Sequence, residues 1–482
     1  MIPIRRKAQS MSSSHIFQYG YPRHVHEMTR FTCDENDELL SRIQDLAEQR
    51  RVFSVDHLGP LVKNAPAVGV EYPPLKTATE AILLNDTFAL FLSSGESGYV
   101  IAASGGFRVG DDREYHVVGA GNAGNEGVFR PSDELCAALA FACTNFISGS
   151  TRPLEPGDMS GVLVAALDIC HTEVVRRLDI ISIAATAFPT SSAANIHMLS
   201  EKGLQPYRNF FSQMAVLRDC LESWGGLGSE EKTTIATLYG LFLKVTSEVW
   251  HKIKDLGPTN LELHEVYICG FNSIAKGLRL LRSFPRGTRV VFDWPQGSTN
   301  GDRFKIQDYR GGNAPLYTDC QLHCEIYLAL HILFANSNVR FHPFLVEEGM
   351  RVFTIGCSKP SCLPCWDILL ELSTRTDLPG HPIHSCRTGN PNGRCYKTWG
   401  LTPHTDTLPL SLTQAITPAN KTEMLESLHR ALKRTLHKFR SRVGHQSNFG
   451  HFGGQRHFGQ FEKPLPLGYY SPKGFGHGLV SE

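Results

Sequence analysis

The sequence predicts an α/β protein in which a mainly helical N-terminal domain precedes a C-terminal domain of alternating strands and helices. Three observations carry this. Apolar residues recur with helical period through most of residues 34–285. After Pro285 that period gives way to short β-type runs broken by turn residues and two apolar helices. The 482 residues exceed what one compact core holds, so two or three domains are expected.

Residues 1–33 lack periodicity and are read as a disordered N-terminus. Arg5, Arg6 and Lys7 followed by Ser12–Ser14 give them only a faint likeness to a transit peptide. From Asp34 to Arg51, Leu39, Leu40, Ile43 and Leu46 mark a first helix. Thr77–Leu92 reads as a second, with Ala78, Ala81, Ile82, Phe88 and Leu90 inward. Tyr99–Ala103 and Glu114–Val118 lie between glycine clusters and read as a short hairpin. Helical patterns follow over 132–146, 161–186, 206–224, 229–254 and 261–284, so residues 34–285 are assigned to one mainly helical domain of unknown role.

Within residues 286–415, Arg289–Asp293 and Phe304–Tyr309 read as a hairpin around a turn at 296–301 that ends in Asn-Gly. Thr318–Phe334, with Thr318 and Asp319 as candidate caps, reads as a buried helix. Val352–Ile355 then reads as a strand, Ser361–Leu372 as a helix and Cys395–Leu401 as a further strand, giving the order β-β-α-β-α-β. Residues 416–443 form a basic helix carrying Lys433, Arg434 and Lys438. Its basic face is either solvated surface or a phosphate contact. Residues 444–482, with Phe-Gly at Phe449, Phe452, Phe458 and Phe475, bury too little apolar area to order, and read as a disordered Gly/Phe/His-rich tail.

A net charge of +1 supplies no global attraction to nucleic acid or membrane, so any such attraction must be local. Thirteen cysteines form no regular framework, and residues 1–18 contain no secretory apolar core, which favours an intracellular, reducing setting, cytoplasmic or nuclear. Apolar stretches fall well short of the roughly 20 residues that cross a bilayer, so no membrane association is expected.

Chemistry concentrates in His323-Cys324-Glu325 and Cys362-Leu363-Pro364-Cys365. One imidazole and two thiolates are zinc ligands, and three protein ligands leave the fourth position of a tetrahedral site open, as catalysis requires. Cys362 and Cys365 are three apart, which places both sulfurs on one helix face, with Ser361 as candidate N-cap and Pro364 tolerated in the first turn. Glu325 begins the same helix as His323 and is positioned to move protons. The alternative is a closed structural site of Cys357, Cys362, Cys365 and a histidine, for which Cys320, Cys324, His384, Cys386 or Cys395 could complete the set. That arrangement has no use for Glu325.

Leu322–Glu325, Ile355–Cys365 and, more loosely, Asn392–Tyr396 with Trp399 resemble the cytidine-deaminase-like superfamily, and within it the nucleic-acid-deaminase-like family expanded in fungi and related to bacterial toxin deaminases. The resemblance spans about residues 292–403. It implies a three-layer α/β/α sandwich around a mixed sheet, Zn²⁺ on His323, Cys362 and Cys365, and Glu325 as proton shuttle in hydrolytic deamination of a cytosine or adenine base, in a nucleoside or a nucleic acid, single-stranded if polymeric. Two departures stand out. Ser361 occupies a place commonly held by Pro, and Cys324 one commonly held by Ala. Trp399, Tyr396, His342 and Trp366 are candidates to stack on the base, and Lys433, Arg434 and Lys438 to contact phosphate. The competing reading is a non-catalytic, zinc-stabilised interaction protein.

Gly119–Gly124 fits a dinucleotide fingerprint, but no helix follows at once, so a flexible hairpin loop is expected there. His24-Val25-His26-Glu27 reads as surface chain.

Overall fold

A computed structural model of the chain describes residues 33–48, 75–94, 100–124, 127–128, 130–149, 154–191, 201–254, 261–294, 299–300, 304–308, 316–335, 341–345, 351–374, 384–389, 391, 393–396, 399–401, 408 and 410–448. The expected N-terminal segment before residue 33, the histidines at 24 and 26, most of the turn at 296–301 and the tail beyond 448 lie outside these residues.

Two helices precede the sheet, α1 (Cys33–Glu48) and α2 (Ala78–Phe91). Thr77 caps α2, its hydroxyl accepting the Glu80 N–H at 3.2 Å. Strands β1 (Ile101–Arg108) and β2 (Asp111–Gly124) form an antiparallel hairpin whose turn uses Gly110 at φ +84°, where a side chain would be strained. Next come helices α3 (Asp133–Ser148), α4 (Pro156–Ser191), α5 (Glu201–Glu222), α6 (Ser229–Lys254) and α7 (Leu261–Arg282). The rest comprises β4 (Arg289–Asp293), β6 (Phe304–Asp308), β7 (Leu316–Cys320), α8 (Cys324–Phe334), β9 (Arg351–Cys357), α9 (Leu363–Glu371), β11 (His384–Thr388), α10 (Leu410–Ala415) and α11 (Pro418–Asn448), with two-residue strands β3, β5, β8 and β10 at 127–128, 299–300, 344–345 and 373–374.

The main sheet runs β11-β9-β1-β2-β4. β9 is antiparallel to β1 and parallel to β11, and β4 is parallel to β2, so the sheet is mixed as expected. Ile101, Ala103, Phe107, Tyr115 and Val117 point to one face, where they join a continuous apolar core with α2 and the helices α3–α7. Thr354 and Gly356 of β9 meet Asn85 and Asp86 of α2 on that same face. α8 and α9 cover the opposite face, against β1, β2, β9 and β11. The result is an α/β/α sandwich.

The sheet crosses the expected division at residue 285. β1 is buried along nearly its whole length because it is a central strand, with Ala102 and Ala103 opposite Cys357 and Gly356. A two-stranded hairpin alone would be marginal, so residues 101–124 complete a sheet whose other strands, apart from the two-residue β3, come 165 or more residues later. Helices α3–α7 are therefore an insertion between β2 and β4. Up to Phe439 the chain clusters as one unit, and α11 seats Met424, Leu428, Leu432, Leu436 and Phe439 in the core instead of standing apart as a basic helix.

Local expectations change accordingly. Gly119–Gly124 is strand, not a hairpin loop: Gly119 and Gly121 pair with Ala103 and Ile101, and the Trp294 ring lies 3.1 Å from where a Cβ of residue 119 would sit. β4 pairs with β2 rather than with β6, whose partner is β7. Thr318 and Asp319 belong to β7, opposite Ile306 and Lys305, and the N-cap of the helix that follows is His323. Among the described residues of 395–401, Trp399 makes a single bridge to Gln321 and none belongs to a strand. β11, too short and polar to show a period, lies between β9 and the two-residue β10, a place the sequence pattern does not reveal.

Candidate metal centre

The ligand-bearing helices α8 and α9 both start at the same edge of the sandwich. His323 is the N-cap of α8, with extended backbone, and its carbonyl accepts the Ile326 and Tyr327 N–H groups at 3.0 Å each. Its side chain therefore projects beside the helix start while Glu325 occupies the first turn. Cys362, not Ser361, is the N-cap of α9. Its carbonyl accepts the Trp366 N–H at 3.0 Å, and Pro364 sits in the first turn where no N–H is needed. The Ser361 hydroxyl lies instead 3.3 Å from the Thr388 hydroxyl and 3.7 Å from the Cys357 sulfur.

His323, Glu325, Cys362 and Cys365 converge, one ligand atom of each lying within 4.8 Å of all the others. His323 Nδ1 and Cys362 Sγ are 3.6 Å apart. All four residues are buried. Ligand distances of about 2.0–2.3 Å put tetrahedral donors roughly 3.3–3.8 Å apart, so a modest contraction of this cluster around one ion suffices. Among the described residues Cys324, Cys357, His384, Cys386 and Cys395 do not join the group.

The electrostatics favour a cation. Burial works against the Cys362 thiolate, yet the Cys365 hydrogen bond and the His323 charge outweigh it and bring the thiol down to about 7. Burial likewise opposes the His323 imidazolium, but Cys362 and Glu325 hold its pKa up. Burial and the neighbouring Cys362 push Cys365 well above the ordinary thiol range.

The loop between α9 and α10 straps the two helix starts together. Arg394 O accepts the Leu363 N–H at 2.8 Å, after Gly393 turns the chain at φ +70°. Gly400 N–H donates to Gln321 O at 3.1 Å, two residues ahead of His323. On this strap Trp399, 1 % exposed, donates its indole N–H to Cys365 Sγ at 3.1 Å. Tyr396, 42 % exposed, has its ring centroid 6.3 Å from that of His323 and stands at the mouth of the site. Trp366 is core. His342 is not at the site: its N–H bonds Phe107 O, five residues or roughly 16 Å along β1 from the Ala102–Cys357 pair. Arg434 and Lys438 bind Glu371, the last residue of α9, at 2.9 and 2.5 Å, while Lys433 points outward.

Three contributors were invisible in the sequence reading. Asn122, at the end of β2, accepts the Cys324 N–H on its side-chain oxygen at 2.5 Å and so fixes the start of α8 from a strand 200 residues earlier. Ser358 bonds Ile101 through both its N–H, at 2.8 Å, and its hydroxyl, at 3.0 Å. Arg177 of α4 reaches the Ser358 carbonyl. The only hint of any of these was the glycine-asparagine run at 119–124.

Residues 322–404 match the family model described as OTT_1508_deam-like deaminase, a member of the cytidine deaminase-like superfamily. The match contains all four clustered residues together with Tyr396 and Trp399, and leaves out β1, β2 and the inserted helices. No curated protein and no solved structure matches the chain.

Proposed function

We propose that this domain is a zinc-dependent hydrolytic deaminase acting on the exocyclic amine of a cytosine or adenine base, in a nucleoside or in nucleic acid. The observation that carries the reading is the convergence of His323, Cys362, Cys365 and Glu325 within 4.8 Å inside the segment that matches a deaminase family. The donor set of one imidazole and two thiols suits Zn²⁺, with His323, Cys362 and Cys365 as its ligands. Bound there, Zn²⁺ lowers the pKa of a water toward neutrality.

Glu325 has no need to bind the ion. From the first turn of α8, at the positive end of the helix, its carboxylate is placed to take a proton from the attacking water and pass it to the departing amine nitrogen. A C–O bond forms, the C–N bond breaks and ammonia leaves. Tyr396 is the aromatic placed to stack on the base, being exposed and beside His323. For a polymeric substrate the candidate phosphate contacts on α11 are Lys433, which is exposed, and Arg434 and Lys438, which also pair with Glu371.

The test is Glu325→Ala beside the parent, with zinc content and ammonia release measured over nucleosides, single-stranded DNA and RNA. The expected result is about one zinc in each protein and activity lower by 10²-fold or more in the variant. A parent that binds zinc but releases no ammonia from any substrate would overturn the enzymatic reading in favour of a zinc-stabilised interaction protein.

A further inference from the structure

Trp399 occupies a place that base stacking does not explain. Its ring is buried, so no substrate reaches its faces, and its indole N–H, a donor with no acceptor capacity, is aimed at a sulfur. A buried tryptophan ordinarily satisfies this group with an oxygen. The Trp366 N–H, one residue past Cys365, has no partner among the described residues, so a sulfur contact is not what any tryptophan near this site acquires by default.

The strap that carries Trp399 is fastened at both ligand helices. Arg394 O holds the Leu363 N–H at the start of α9, Gly400 N–H holds Gln321 O ahead of α8, and the main-chain N–H of Trp399 holds Tyr396 O at 3.0 Å in between. Trp399 also bridges Gln321 as a one-residue strand pair. The indole is thus fixed relative to both helices, and it orients one of the two sulfurs. Cys362 has His323 beside it at 3.6 Å, whereas the indole is the donor aimed at Cys365.

We propose that Trp399 is a positioning residue for the metal centre: its N–H orients the Cys365 sulfur and withdraws electron density from it, limiting what that thiolate donates to a bound metal and how readily it reacts. This rests on the reading of His323, Cys362 and Cys365 as metal ligands. Partners one step out from the ligands commonly change metal affinity or reactivity 10- to 100-fold, and a donor aimed at a thiolate acts through the same orientation and charge.

Cobalt substitution tests it, because sulfur-to-Co²⁺ charge transfer reports electron density on the thiolates without any turnover. Trp399→Phe removes the N–H and some ring volume; replacement of Trp399 by 3-benzothienylalanine removes the N–H and keeps the bicyclic shape. Both should bind Co²⁺ with the charge-transfer band moved to longer wavelength, and both should lose Cys365 to iodoacetamide roughly tenfold faster than the parent. Trp366→Phe should change neither. Bands and alkylation rates equal to the parent in a variant that binds Co²⁺ would overturn the role of Trp399 while leaving the metal site intact, as would an equal shift in Trp366→Phe. A parent that takes up no Co²⁺ or Zn²⁺ would overturn the metal reading itself, and this role with it.

Discussion

The buried guanidinium of Arg177 in α4 donates to the main-chain carbonyl of Ser358, four residues ahead of Cys362. Its Nε binds Glu173 at 2.7 Å, and Glu173 also holds Arg176 through both carboxylate oxygens at 2.5 and 2.7 Å. Gly270 of α7 leaves the room, since a Cβ there would lie 2.6 Å from Arg177 Nη1. The inserted helices therefore bear directly on the loop that delivers Cys362. Arg177→Met keeps the stem but strands the Ser358 carbonyl and part of the Glu173 charge. A loss of about 3 kcal/mol is expected in urea unfolding, together with weaker zinc retention. An unchanged urea midpoint would show that the helical insertion does not hold this loop.

This relationship marks the limit of what the sequence could reveal. His323, Glu325, Cys362 and Cys365 were legible because each pair lies within one helix turn, where spacing dictates geometry. Asn122, Arg177 and Ser358 were not, because their partners lie 202, 181 and 257 residues away and no local period encodes such contacts. The same cause hid the fold. Residues 99–103 and 114–118 read locally as a short hairpin, yet the pairing of Ala102 with Cys357 and of Ala103 with Gly356 places that hairpin in the sheet that the C-terminal strands complete. Gly119 and Gly356 carry no local signal of their role, because only the packed structure shows what presses against them.

Gly356 shows the size of that pressure. A Cβ there would stand 2.0 Å from the Asp86 amide nitrogen and 2.1 Å from the Asn85 carbonyl carbon, both backbone of α2. Neither can swing aside as a side chain would, so Gly356→Ala must push α2 off the sheet. Overpacking of this kind costs about 1–3 kcal/mol and often more against main chain. A thermal scan should place the variant clearly below Gly389→Ala, where the nearest atom is 3.7 Å away. Equal melting temperatures would contradict the close approach of α2 to β9.

Asp86 should give stability a pH dependence. Burial raises its carboxyl from 3.8 to about 7, although the Cys357 N–H, donating at 2.7 Å, favours the carboxylate. The folded protein thus keeps a proton that the unfolded chain releases above about pH 4. The contribution is full below that value and is lost as pH rises through 7. Asp86→Asn preserves an oxygen acceptor for Cys357 and cannot ionise. It should match the parent near pH 4 and exceed it by about 4 kcal/mol at pH 8 in denaturant unfolding. Parallel stability profiles across that range would mean the carboxyl titrates normally.

Metal removal should destabilise the fold itself, because the ligands come from the starts of two different helices. An ion bound by His323, Cys362 and Cys365 ties α8 to α9 in the native state, while the unfolded chain holds His323 about forty residues from the two cysteines along the sequence. A site loaded at 100 times its Kd adds about 2.7 kcal/mol. Chelator treatment should lower the melting temperature, and added Zn²⁺ should restore it in a concentration-dependent way. Cys362→Ser replaces one soft ligand by a hydroxyl of similar size, so its melting temperature should lie near that of the chelated parent and respond little to either treatment. Glu325→Gln, by contrast, should retain the full zinc response, since its carboxylate is assigned to proton transfer rather than to ligation. Loss of the response in Glu325→Gln would make Glu325 the fourth ligand and close the position that the chemistry needs.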